Sequence, residues 1–284
     1  MTPLVALVVL LAAVTHATWN AITHRVKDEL AGLTLVGVGR TTSGALLAAW
    51  APLPTAAAWP FLITSVVLHV GYQVALIRSF RLGDFGQVYP IARGVAPTVV
   101  TLFAIFVLGE RMGAAATAGM VLVTLSLVGL ALWGVRGRSG RPPQWPAIAM
   151  AATTGLTIAA YTLVDGVGVR TAGTALGYIG WLMVLDGAAI PLYAAVRLRG
   201  GLAERLRPVA VPGLLGGVLS VVSYGLVLWA QTRAPLAPVA VLRESSVIVG
   251  AAISVFLFKE RFGGARIVAA SVMMAGIALM LGTN

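Results

Sequence analysis

Arg93 and Arg243 each stand inside a long apolar stretch, 150 residues apart. A guanidinium matches a carboxylate, phosphonate or phosphate bidentately, so such residues are natural anion contacts. Two of them in one place repel each other unless anions accompany them. Glu244 and Asp186 are the internal candidates for that compensation, and a bound anionic solute is the external one. Two roles are therefore open. Arg93 and Arg243 contact a ligand, or they lock helices together through ion pairs with Asp186 or Glu244. Glu244 carries a coupling proton, holds an ammonium group or compensates Arg243. Asp186 is a proton carrier or an ion-pair partner. Arg40, also inside an apolar stretch, reads as a snorkelling or paired residue.

Polar and aromatic residues at helical spacing add to this set. His16, Trp19 and Asn20 fall at i, i+3 and i+4, on one helix face. His69, Tyr72 and Gln73 repeat that spacing, with Tyr72 and Gln73 as cavity walls and His69 as a packing residue. Tyr89 precedes Arg93 by one turn and points the same way. Tyr161 and Tyr224 are the corresponding candidates later in the chain. Pro90, Pro97, Pro235 and Pro238 are candidate hinges, since proline frees carbonyls and kinks helices. Trp50, Trp59, Trp133 and Trp145 lie near the ends of apolar stretches and read as an interfacial belt.

The elements that position these residues are set by composition. Of the 284 residues, 59% are hydrophobic and 10% charged, against roughly 25% charged in a soluble domain. The apolar runs are continuous, which indicates helices rather than barrel strands. The 33 glycines suit helices that approach closely in lipid. Ten spans are expected, at 3–22, 31–51, 56–78, 84–108, 114–134, 146–166, 174–196, 210–232, 236–258 and 264–282. The fold class is an all-α integral membrane protein. The first apolar stretch lacks a basic leader and is read as a retained span.

The chain repeats itself. Gly109-Glu110-Arg111 matches Lys259-Glu260-Arg261 at the same offset that relates Arg93 to Arg243. At a slightly different offset Trp19-Asn20 falls opposite Tyr161-Thr162. The halves are 1–135 and 146–284, joined by a basic linker at 136–145. Five spans per half is an odd number, so the second half enters the membrane from the opposite side, as an inverted repeat. Fourteen of the 20 Lys and Arg residues fall in odd-numbered loops, three (Arg111, Arg170 and Arg233) in even-numbered loops and three inside spans. The positive-inside rule puts the odd loops in the cytoplasm and both termini outside. The net charge of +11 is read as this orientation signal rather than as a nucleic-acid surface.

The chain resembles a drug/metabolite transporter of the EamA type. The resemblance rests on His16-Ala17-Thr18-Trp19-Asn20-Ala21, the two Glu-Arg turns and the duplicated five-span halves. It implies an inner-membrane secondary transporter, not an enzyme, that moves a small polar metabolite by alternating access, with export the commoner direction. Members are commonly drawn with both termini in the cytoplasm, and here the charges say the reverse. With the arginines, the expected solute is anionic or zwitterionic: an amino acid, an organic acid or a phosphonate-like compound. The expected partners are this solute, the lipid bilayer and a coupling proton, without nucleic acid, in a monomer or homodimer. No cofactor and no metal are expected, because the chain has no Walker loop, no Cys and only scattered His. The competing reading is a non-transporting scaffold or accessory subunit whose buried ion pairs are structural. A channel is weaker, since channels usually build their pore by oligomeric symmetry.

Overall fold

The computed structural model describes residues 1–24, 26, 28–83, 85–136, 144–198, 201–258 and 264–282. All regular structure among them is helical: α1 (Pro3–His24), α2 (Glu29–Trp50), α3 (Trp59–Leu82), α4 (Phe85–Phe106), α5 (Ala114–Arg136), α6 (Trp145–Thr171), α7 (Ala175–Leu198), α8 (Leu202–Leu206), α9 (Ala210–Gln231), α10 (Leu236–Arg243), α11 (Ser245–Phe258) and α12 (Gly264–Leu281). At 1.5 Å per residue the 22 residues of α1 reach about 33 Å, enough for a hydrocarbon core of roughly 30 Å. Nine stretches among the described residues are long and apolar enough to span, and Ile267–Leu281 is a shorter apolar helix. Leu4, Leu7, Leu11, Val211, Val218 and Val222 lie exposed, which suits lipid rather than water.

Expected and observed spans differ at two informative places. Span six runs on to Thr171 instead of stopping at 166. Span nine is two helices, α10 and α11, joined at Glu244. The break is local and tight. The Glu244 N–H donates to the Val241 carbonyl at 3.0 Å and the Val247 N–H to the Glu244 carbonyl at 2.9 Å. Such three-residue bonds replace the α-pattern and mark a point where a helix can turn. Pro238 sits in the first turn of α10, where no intrahelical bond is lost, and Pro235 is its N-cap. Pro90 and Pro97 lie inside α4, which is helical from end to end. Lys259, Glu260 and Arg261, the second Glu-Arg turn, and most of the basic linker lie outside the described residues.

The chain divides into two compact units, and each draws helices from both sequence halves. One comprises Met1–Leu7, Val67–Val164 and Ala234–Asn284. Within it α5 packs on α12 and on α4, and α4 on α10. Val100, Ala159, Leu236 and Ala240 form one buried cluster, and Val88, Ile91, Ala147 and Ala151 another. In a bilayer no hydrophobic force separates helix from lipid, so close contact of small residues holds such faces. Gly276 shows this, since a Cβ there would lie 2.7 Å from the Gly119 carbonyl oxygen.

The second unit comprises Val8–Val66 and Asp165–Arg233. Here α2 packs on α7 and α9. Its core contains Leu62, Val169, Tyr178, Leu182, Met183, Val221 and Leu228. Trp59 does not join an interfacial belt. It packs on Trp181 with ring centroids 5.3 Å apart, because its helix start is folded against this core. Trp50, Trp133 and Trp145 are exposed at helix ends, as a belt requires.

Within each unit, contacts between loops join loops of like parity. In the first unit Gly83 abuts Ala147 and Gln144, and Glu110 bonds the start of α10. In the second, Arg205 bonds Asp28 and the Thr55 hydroxyl donates to the Thr171 carbonyl at 2.9 Å. Alternating passage of the spans produces this pattern.

Packing and capping are both open to test by mutation. Gly276→Ala is expected to force α12 away from α5 and lower stability by about 1–3 kcal/mol, read as a lower Tm in detergent. Asp28 caps α2 by accepting from the Ala31 N–H at 3.1 Å, and it accepts from Arg205 Nε at 2.8 Å. The backbone bond, then Arg205, holds its carboxyl below the ordinary 3.8. This contribution is complete above that pH and is lost as pH falls through the depressed folded value. Asp28→Asn is expected to flatten that part of the acid limb in a melting series against pH.

Candidate substrate site

The first unit gathers most of the charged candidates. Arg93 enters from the middle of α4. Its Nη2 lies 2.8 Å from Glu244 Oε2 and donates to Ser246 Oγ at 2.8 Å. Arg243, the last residue of α10, places Nε 3.9 Å from Glu244 Oε1. That is an ion-pair distance but too long for a hydrogen bond. All three charged residues are buried. Among the described residues, two guanidiniums thus share one carboxylate. Nε of Arg93, Nε of Arg243 and the Ser245 hydroxyl are buried without a hydrogen-bond partner.

Aromatic rings surround Arg93. Tyr89, Tyr161 and Tyr72 all lie within electrostatic reach of its guanidinium. His69 stacks on Tyr161 with centroids 3.9 Å apart, and Tyr72 meets the same ring edge-on at 5.8 Å. Sequence spacing supplied the rows on α3 and α4; packing against α6 brings Tyr161 to them. Gln73 is half-buried on α3 beside Tyr72.

The helix that carries Arg243 is itself held by a carboxylate. Glu110 accepts from the N–H groups of Leu236 at 2.6 Å and Ala237 at 3.2 Å. These are the first two residues of α10, whose N-cap, Pro235, offers no side-chain cap. Gly109, with φ +67°, makes the left-handed turn after α4 that delivers Glu110 there. The first Glu-Arg turn is therefore a helix cap.

Other expected residues lie in the second unit. Asp186 pairs with Arg40. The reason is local. Gly37 on α2 comes so close to α7 that a Cβ would sit 2.6 Å from the Gly187 carbonyl oxygen. That approach puts Arg40 against Asp186, and Arg40 Nη2 also meets Met183 Sδ at 3.8 Å. His16 and Trp19 meet edge-on at 5.6 Å. Asn20 is exposed, and its amide donates to its own helix at the His16 carbonyl at 2.7 Å. Tyr224 donates to Asp165 at 2.6 Å. Asp165 takes no role from the sequence, because span six is expected to end at 166. With α6 continuing to Thr171, that carboxylate is fully buried. An acid four residues after Tyr161 in an apolar run was the available signal.

With nine stretches long and apolar enough to span among the described residues, the chain falls in the class of polytopic helical membrane proteins. Residues 145–282 narrow the class, for they match the model of the EamA-like transporter family. The second half of the chain is thus similar to EamA-like transporters. A solved crystal structure of a protein at 16% identity shares the fold, with a TM-score of 0.70 over 99% of this chain and 97% of that one. No curated protein matches the sequence.

Removing one member of a buried charge cluster strands the others, at about 3–5 kcal/mol. Glu244→Gln is therefore expected to lower Tm markedly. Arg93→Gln combined with Glu244→Gln is expected to cost less than the sum of the single changes, in a double-mutant cycle of thermal unfolding.

Proposed function

We propose that the protein is a secondary transporter for a small metabolite bearing an anionic group, held at Arg93 and Arg243. The observation that carries this reading is the charge imbalance at Glu244: two buried guanidiniums against one carboxylate. An ionised group in the bilayer interior is expensive unless compensated. A bound carboxylate, phosphonate or phosphate supplies the missing negative charge. Nε of Arg93, Nε of Arg243 and the Ser245 hydroxyl, all without a partner, offer it hydrogen bonds. Tyr72, Tyr89 and Tyr161 provide walls that are apolar in the ring and polar at the tip. An organic acid, an amino acid or a phosphonate-like compound fits this chemistry. Glu244 would take the ammonium of a zwitterion, while its close pair with Arg93 supports charge compensation as its resting role.

Movement of the solute proceeds by alternating access between inverted repeats, 1–135 and 146–284, across the 136–145 linker. The matched positions of Arg93 and Arg243 support this, and the α10–α11 break beside Arg243 gives the second repeat a turning point. Pro90 and Pro97 serve α4 in the same way. His16, Trp19, Asn20, Gln73 and Tyr224 are proposed as further polar wall along the solute's route. The Asp186–Arg40 pair supports a locking role for Asp186 over proton carriage. The membrane is the inner membrane, and the charge bias of the loops supports odd loops in the cytoplasm with both termini outside.

Thermal unfolding of the detergent-purified protein tests the site. The panel holds amino acids, organic acids, phosphonates and sugar phosphates, with Arg93→Gln and Arg243→Gln alongside. A ligand at 100 times its Kd adds about 2.7 kcal/mol. An anionic compound is expected to raise Tm in the wild type and not in either variant. Equal responses in wild type and variants, or binding of uncharged compounds alone, would leave the arginines structural and favour a scaffold.

A further inference from the structure

The geometry points to Glu110 as the residue that positions Arg243 in the proposed solute site, acting through the whole length of α10. An α-helix begins with four N–H groups that have no partner inside it. In α10 these positions are Pro235, the N-cap, and then Leu236, Ala237 and Pro238. Proline has no N–H, so two of the four donors do not exist. Glu110 takes the other two. Its Oε1 accepts from the Leu236 N–H at 2.6 Å and its Oε2 from the Ala237 N–H at 3.2 Å. Two prolines and one carboxylate from another turn thus account for every donor at this helix start.

The accounting matters because of where α10 lies. All eight of its residues are buried, so a donor left open there would find no water. Eight residues span about 12 Å, and a helix that short is not stable by its own propensity. It is held by its side and its ends. On its side, Leu236 and Ala240 pack with Val100 of α4 and Ala159 of α6. At its far end, Arg93 of α4 meets Glu244 at 2.8 Å, one residue past Arg243. Glu110 itself is anchored to the end of α4, since its N–H donates to the Ala104 carbonyl at 2.9 Å. The α4 helix and the turn after it therefore grip α10 at both ends, and Arg93 and Arg243 are carried as one body.

Charge adds to this geometry. A helix start favours a negative group and a helix end a positive one. Glu110 stands at the start of α10 and Arg243 in its last turn. The carboxylate also needs both of its oxygens. A glutamine of the same shape has one acceptor, and its NH2 group would face the second N–H, donor against donor. A packing role would be met by glutamine; the positioning role is not. That Arg243 then contacts a solute rests on the transport reading above, whereas its placement by Glu110 does not.

The test uses the purified full chain without solute. Wild type, Glu110→Gln and Glu110→Asp are compared, with melting curves as a check on folding. One readout is hydrogen–deuterium exchange along 236–243. The other is the rate at which phenylglyoxal, an arginine-selective dicarbonyl, modifies Arg243 and Arg40, read by peptide mass. Glu110→Gln is expected to speed both α10 exchange and Arg243 modification about fivefold, the effect of one lost cap. Arg40, in the other unit, is expected to keep its wild-type rate. Glu110→Asp, with both acceptors on a shorter arm, is expected to fall between the two. A folded Glu110→Gln in which Arg243 reacts at the wild-type rate overturns the proposal, and so does an equal rise at Arg40. If Glu110→Gln does not fold, Glu110→Asp decides: Arg243 reacting at the wild-type rate overturns it. Failure here leaves the Arg93 site standing, and failure of the ligand screen leaves this placement standing.

Discussion

An ionised side chain in the middle of a bilayer has no water to solvate it, and the rest of this structure is arranged around that cost. Among the described residues, the buried acids Asp165, Asp186 and Glu244 each meet a partner on a neighbouring helix. Arg93 reaches across from α4 to Glu244 and Ser246. Arg40 reaches from α2 to Asp186 on α7. Asp165 is met by hydroxyls from α7 and α9. The three arrangements differ in how they balance. The Arg40 pair is neutral as a whole, which suits a fixed lock. The Asp165 carboxylate accepts from two tyrosine hydroxyls. Among the described residues the Arg93 cluster is left with one charge over, which is the physical reason for proposing a ligand there.

Such pairing works only if helices come close, and the glycines allow that. The α2–α7 contact at Gly37 and Gly187 brings Arg40 within reach of Asp186. The α5–α12 contact at Gly119 and Gly276 braces α5, on which α4 packs. These contacts contribute dispersion rather than a hydrophobic gain, so small losses of fit are felt directly. The helix that must turn, α10 into α11, is secured instead by a polar device. Glu110 caps its first turn from another loop, and the short bonds at Glu244 end it. Arg243, proposed as a solute contact, and its counter-charge Glu244 thus sit at a joint whose far end is fixed.

The sequence by itself determined the features that local pattern encodes. Apolar runs of about 20 residues can only be helices in lipid, so ten spans were legible, with their order. The offset between Arg93 and Arg243 marked the pair for a common role. One helical turn joined Tyr89 to Arg93, and the spacing of His69 and Tyr72 put them on one face. These are short-range facts of a 3.6-residue period.

Tertiary packing decided the partners. Five residues (Arg40, Arg93, Arg243, Asp186 and Glu244) were available for buried ion pairs, and pattern alone gave no reason to join Asp186 to Arg40. A glycine contact between α2 and α7 made that choice. Tyr161 entered the Arg93 cluster because α6 packs beside α3, which no spacing encodes. Asp165 stayed hidden because hydropathy fades gradually toward a span end. The extra turn to Thr171 is held by contacts with Thr55 and Gln231 rather than by its own composition. The break at Glu244 has the same origin. Its residues are ordinary helix formers by propensity, and it is the buried charge with its partner on α4 that sets the turn there.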